Sequence, residues 1–175
     1  MTSLFLDESK ENNYIIVVAA VADGDVTRLR SATAGLRLPR QQRVHFVKES
    51  VPRRRKILQA FENLGVRTHV FVAHGLSDVD AREWCLESVV DLAAEVRARR
   101  IILEMDDSIV ATDKRTLYRT LDVRGMRESV SYGHERASAE PLLWIPDAVA
   151  WSHAKGGEWK TRAAPLIERV VEYSG

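Results

Sequence analysis

The stretch Leu4-Phe-Leu-Asp-Glu-Ser9, "LFLDES", runs from apolar residues straight into two adjacent carboxylates, Asp7 and Glu8. A second apolar run begins at Tyr14 and continues to Val21, and "KENN" (Lys10–Asn13) supplies turn residues between them. Two apolar runs joined by a short polar turn predict a β-hairpin. The second run is apolar almost throughout, as in a strand covered on both faces. Charged residues at a strand end are ordinary where the chain enters solvent. They carry function where the strand is central and its end opens into a site, so the rest of the chain has to decide what Asp7 does.

Beyond the hairpin, strand-like and helix-like segments alternate. Val26–Leu38 has loosely helical spacing, and "RVHFVKE" (Arg43–Glu49) reads as a short strand or extended segment. Pro52 opens a helix that Gly65 closes. "VRTHVFVA" (Val66–Ala73) predicts a strand, and Asp78–Arg99 a long amphipathic helix. "RRIILEMDDS" (Arg99–Ser108) is a strand that again ends in carboxylates. "DKRTLYRTLDVRG" (Asp113–Gly125) reads as a helix with a glycine stop, and "ESVSYGHERAS" (Glu128–Ser138) as a short polar strand. Glu140–His153 and Thr161–Tyr173 read as two terminal helical regions, with Pro165 in the first turn of the second and "GGEW" (Gly156–Trp159) as the loop between them. A hairpin followed by alternating elements predicts one α/β domain over residues 1–175, a mixed sheet with helices on both faces.

Composition supports a globular chain. Its 175 residues suffice for one real core, with 45% apolar and 29% charged residues. The 26 basic and 25 acidic residues nearly cancel, so no global field steers a partner and any nucleic-acid contact must come from local patches. Cys85 is the single cysteine, which excludes an internal disulfide and a cysteine-based zinc cluster. No leader-like segment opens the chain, and no apolar run approaches the roughly 20 residues of a membrane span. The expectation is a cytosolic, reduced protein without a membrane partner, its oligomeric state left open.

Three acidic places stand out: Asp7 with Glu8, then Glu104 with Asp106 and Asp107, then Asp147 inside "PLLWIPDAVAW" (Pro141–Trp151). A carboxylate among so many apolar residues is costly without a cation, a donor or an open site. Pro146 also puts Asp147 in a first helical turn, where a simple capping role is natural. Strand alternation sets Phe5 and Asp7 on one face and Leu6 and Glu8 on the other. In the later strand Ile102, Glu104 and Asp106 share a face, and Leu103, Met105 and Asp107 the other. Sites in open α/β sheets form at the carboxyl ends of strands. Two acidic strand ends and a helix carboxylate there would make an oxygen-rich nest of the kind that takes magnesium or manganese.

Four stretches, "LFLDES", "RVHFVKESVPRRRKIL" (Arg43–Leu58), "RRIILEMDDS" and "PLLWIPDAVAW", together resemble the ribonuclease H-like superfamily. More narrowly, the chain is similar to a family of small proteins that begin with a strand ending in D-E-S-G. The resemblance implies a ribonuclease H-like mixed sheet with an antiparallel start, and a carboxylate cluster binding Mg2+ or Mn2+ for phosphodiester chemistry. It implies Asp7, Asp106 (or Asp107) and Asp147 as metal ligands, and Glu8 or Asp107 is expected to assist. His45 and Lys48 match a polar stretch that accompanies the cluster as substrate contacts. Lys10 departs from the glycine of the motif, so the hairpin turn must differ, with Asn12 and Asn13 placed to form it. Trp144 and Pro146 also depart from it.

The basic run Arg53–Lys56 lies at a helix start, where positive charge is disfavoured. Arg53 and Arg54 are therefore candidate contacts to the phosphates of RNA, DNA or a hybrid. Arg97–Arg100 reads as an ordinary helix C-terminus. The histidines show no metal-ligand spacing, and the four tryptophans and Cys85 read as core. The expectation is a metal-dependent nuclease or phosphodiesterase. The alternative is a ribonuclease H-like module that binds nucleic acid or protein without catalysis.

Overall fold

A computed structural model describes residues 1–173. The elements are β1 (Thr2–Ser9), β2 (Tyr14–Ala22), α1 (Val26–Ala34), α2 (Val51–Asn63), β3 (Thr68–Ala73) and α3 (Asp78–Glu95). They continue with β4 (Ala98–Glu104), α4 (Val110–Val123), β5 (Ser131–Glu135), α5 (Trp144–Lys155), α6 (Gly157–Ala163) and β6 (Ile167–Glu172). Among the described residues the strands form one six-stranded sheet in the order β5-β4-β1-β2-β3-β6. The hairpin β1–β2 is antiparallel, with Asp7 opposite Val17, and β2–β3 is antiparallel too. The pairs β1–β4, β4–β5 and β3–β6 are parallel.

Period-two alternation sorts the side chains into two cores. One face of the sheet sends Phe5, Val17 and Ala19 against α1, α2 and α5, where Phe61, Ile145 and Val149 are buried. The other sends Leu4, Leu6, Ile16 and Val18 against α3 and α4, where Cys85, Leu86, Val89 and Leu117 are buried. With both faces covered, β1 and β2 need apolar residues at nearly every position, which accounts for their unbroken runs. Burial pushes the Cys85 thiol up to about 12, so it packs as a small apolar group.

Four segments differ from the sequence expectations. "RVHFVKE" is no strand: Phe46–Lys48 forms a 3-10 turn. Phe46 is fully buried there, with its ring edge-on to Trp151 at 5.4 Å and Trp159 at 6.4 Å. The long helix ends at Glu95, and Arg97 takes a left-handed conformation (φ 53) that turns the chain into β4, so Arg99 and Arg100 are strand residues. Part of the "GGEW" stretch is helical, since α6 runs from Gly157 to Ala163 after Gly156 at φ 75. The last segment is a strand, not a helix: Pro165 sits in a 3-10 turn, and Ile167–Glu172 adds β6 in parallel to the edge of β3. Hydrogen bonding to an open sheet edge, together with β-branched Ile167, Val170 and Val171, outweighs the helical spacing.

The hairpin turn closes without the glycine conformation. Neither Lys10, Asn12 nor Asn13 takes positive φ. Asn12 Nδ2 instead donates to Ala154 O at 2.9 Å, and Asn13 Oδ1 meets His74 Nδ1 at 3.1 Å.

Candidate functional site

Central β1 and its parallel neighbour β4 end side by side. Their register pairs Phe5 with Ile102 and Leu6 with Leu103, so Asp7 and Glu104 follow as neighbours on one face. That face is covered by α5, and Asp147 in its first turn reaches the same place. Asp147 does not cap its own helix; its Oδ2 accepts from the Phe46 N–H at 3.1 Å. The buried 3-10 turn and the buried start of α5 thus fix the third carboxylate. The three acids line a cleft of about 630 Å³ with Glu8, Arg43, His45, Arg82, Asp106 and Asp107 among the other walls.

Electrostatics sets these carboxylates apart. Burial raises the Asp7 carboxyl well above the usual range, and the negative charges of Glu104 and Asp147 and a hydrogen bond shared with Glu104 raise it further. The Glu8 N–H, donating to Asp7 Oδ1 at 2.7 Å, opposes this in part. Asp147 is also raised, by burial first and by Glu104; the Phe46 N–H, Arg43 and His45 pull it back. Arg43 is the neighbouring cation, with one terminal nitrogen 2.8 Å from Glu104 Oε1 and the other 3.8 Å from Asp147 Oδ2.

Asp7 and Asp147 of the expected trio come together, and the carboxylate between them is Glu104. Asp106 carries the face parity of Glu104 only if the strand continues, and β4 stops at Glu104. Asp106 is exposed at the cleft rim. Its Oδ1 accepts from the Ser108 N–H at 3.0 Å and hydroxyl at 2.6 Å, which hold its carboxyl below the usual range. Asp107 is exposed as well, 3.6 Å from Arg136.

Glu8 points to the opposite face, as alternation requires. It joins a buried network there: Arg82 donates to Glu8, to the Tyr14 hydroxyl at 2.9 Å, and to both oxygens of Asp113 at 2.5 and 2.8 Å. His134 Nε2 lies 2.9 Å from Asp113 Oδ2. Burial raises the Asp113 carboxyl, but hydrogen bonds from Arg82 and His134 and the Arg82 charge outweigh it and leave the carboxyl below its usual range.

His45 lines the cleft, whereas Lys48, Arg53 and Arg54 do not. Lys48 is exposed. Arg53 donates to Glu49 at 3.1 Å and Leu36 O at 2.7 Å. Arg54 donates to Phe46 O and Val47 O and stacks 4.3 Å over Trp151. Both guanidinium groups are committed to holding the loop ahead of α2. The sequence reading missed Arg43 and Arg82 as wall residues. For Glu104 a signal existed: it shares the parity of Ile102 and, through the strand ends, of Asp7.

A six-stranded mixed sheet with an antiparallel start and helices on both faces is the arrangement of a ribonuclease H-like α/β fold. No protein-family model matches the chain, and no curated protein sequence matches it. Among solved structures it is similar to RNase HII in the PCNA:RNase HII complex from Archaeoglobus fulgidus. The TM-score is 0.55 at 20% identity, over 89% of this chain and 73% of the other. The ribonuclease H-like fold is thereby shown. No helix among the described residues is long and apolar enough to cross a membrane.

Whether a divalent cation suits the site depends on its donors. The three inner groups are hard carboxylate oxygens, and the burial and mutual repulsion that raise Asp7 and Asp147 are what such a cation would offset. Among the described residues, no three His, Cys, Asp or Glu side chains already stand in position to hold an ion. The residues fit such a cation in chemistry and in shared face.

Proposed function

We propose that the protein is a divalent-metal-dependent nuclease or related phosphodiesterase acting on RNA, DNA or a hybrid. Asp7, Glu104 and Asp147 would hold Mg2+ or Mn2+, with Asp106 and Asp107 at the rim. The carrying observation is the convergence of Asp7, Glu104 and Asp147 at the carboxyl ends of β1 and β4, in one cleft where burial and the neighbouring charges raise the Asp7 carboxyl. When bound, the metal supplies an activated water and charge stabilisation at the leaving oxygen of the phosphodiester. The chain's own contributions are the placement of the carboxylates by two strand ends and a packed helix, and the cleft of about 630 Å³ that they line. His45, on the cleft wall, would meet a phosphate oxygen or the departing group.

Hydrolysis of single-stranded and duplex RNA, DNA and hybrid substrates with Mg2+ or Mn2+ tests this reading. Asp7→Asn is expected to lower the rate by more than the roughly 10–100-fold cost of losing an outer-sphere partner at a metal site. Undiminished hydrolysis by Asp7→Asn would remove Asp7 from the mechanism. A second reading, a nucleic-acid- or protein-binding module without catalysis, draws on the bridge from Arg43 to Glu104 and Asp147. Nucleic-acid binding that neither metal nor the Asp7 substitution alters would favour it.

A further inference from the structure

Arg43 stands where a cation would neutralise the cluster. Its guanidinium spans Glu104 at 2.8 Å and Asp147 at 3.8 Å, two of the three inner carboxylates. Its remaining contact is a long one, Nε to Val44 O at 3.4 Å. The backbone that carries it belongs to the irregular connection between α1 and α2. Neighbouring parts of that connection are anchored independently: Leu36 O by Arg53, Gln41 by Glu49, and Phe46 by burial in the core. The long Arg43 side chain can therefore withdraw while the loop stays in place. By contrast Arg82, rooted in α3, is gripped by both oxygens of Asp113 and by Glu8, and is not free to leave.

We infer that Arg43 is a tethered counter-ion that competes with the divalent cation for Glu104 and Asp147, and so sets the metal affinity of the site. The inference rests on the metal-dependent reading above. Two arguments support competition over assistance. The guanidinium uses the same carboxylate oxygens that a metal requires, and a positive charge within a few ångströms repels an incoming dication. Were Arg43 a positioning residue that orients Glu104 and Asp147 for the metal, its removal would instead weaken binding.

Direct Mn2+ titration, following the free ion by electron paramagnetic resonance, separates these cases for wild type, Arg43→Ala and Arg43→Gln. Arg43→Gln removes the charge but keeps a polar side chain on the cleft wall, which guards against loss of folding in the alanine variant; circular dichroism checks both. Competition predicts a Kd for Mn2+ lower by at least about tenfold in both variants, the scale expected from removing a unit charge so close to the ion. Mn2+ bound by the variants and undetected in wild type would be the same result in stronger form. Equal or weaker binding in the folded variants would overturn the inference and leave the metal-dependent reading standing. No Mn2+ bound at millimolar concentration by any of the three folded proteins would overturn both.

Discussion

Asp7 and Glu8 are consecutive residues on β1, yet they belong to two opposite electrostatic designs. On the α3/α4 face, Glu8 and Asp113 meet Arg82 in a buried set in which each carboxylate has a cationic partner. On the α5 face, Asp7, Glu104 and Asp147 share the half-buried Arg43, which reaches only the latter two. In the first set one arginine bonds both carboxylates, whereas the second carries excess negative charge, with Asp7 outside the reach of Arg43. Asp113 accordingly sits below its usual range and Asp7 well above it. Perturbed carboxylates in a cleft mark a candidate functional site, whereas a fully bonded network holds a structure in place.

The largest expected effect of this contrast is on stability. Arg82→Ala leaves Asp113 and Glu8 without their cation, and loss of about 3–5 kcal/mol is expected in urea unfolding, as for other broken buried pairs. Arg43→Ala removes a pair with greater exposure and should cost about 1 kcal/mol or less without metal. Equal costs would break the comparison. Next in size, Asp113→Asn keeps the shape but loses the charge, and a loss of roughly 1–3 kcal/mol is expected. Asp7→Asn should have the opposite sign: relief of repulsion raises Tm by about 2–4 °C for each kcal/mol gained. A lower Tm for metal-free Asp7→Asn would contradict the excess charge assigned to its face.

The smallest effects lie in pH dependence, and again the two faces differ in sign. The Asp7 carboxyl is raised in the folded state, so between its ordinary value near 3.8 and the raised one the folded protein holds more proton than the unfolded. Its contribution to stability therefore falls as pH rises through that window. Asp113 is lowered, so its contribution is present above the ordinary value and is lost as pH falls through the lower folded one. Stability curves of Asp7→Asn and Asp113→Asn should each flatten a different limb. If both flatten the same limb, the two acids do not differ as described.

Much of this was legible in sequence. The hairpin, the alternation of strands and helices, and the opposite orientations of Asp7 and Glu8 follow from apolar runs and period-two geometry, which are local properties. The terminal strand β6 was not legible, because "IERVVE" suits either element until the open edge of β3 is beside it. Nor was the turn at Phe46, since only the assembled core of Trp151 and Trp159 shows why that residue leaves the strand pattern. At the site, parity grouped Glu104 with Asp106, and the choice between them depended on where β4 stops.

Sequence alone thus determined that Asp7 closes an apolar strand-like run, that Glu8 faces away from it, and that a second acidic strand end and an acidic helix turn lie downstream. Only the tertiary structure decided which acids meet. Pairing of β1 with β4 brings Glu104 to Asp7, packing of α5 brings Asp147, and the loop between α1 and α2 brings Arg43. The reason is physical: alternation along a strand is set by its own backbone, whereas neighbours across strands and helices depend on contacts between residues tens of positions apart.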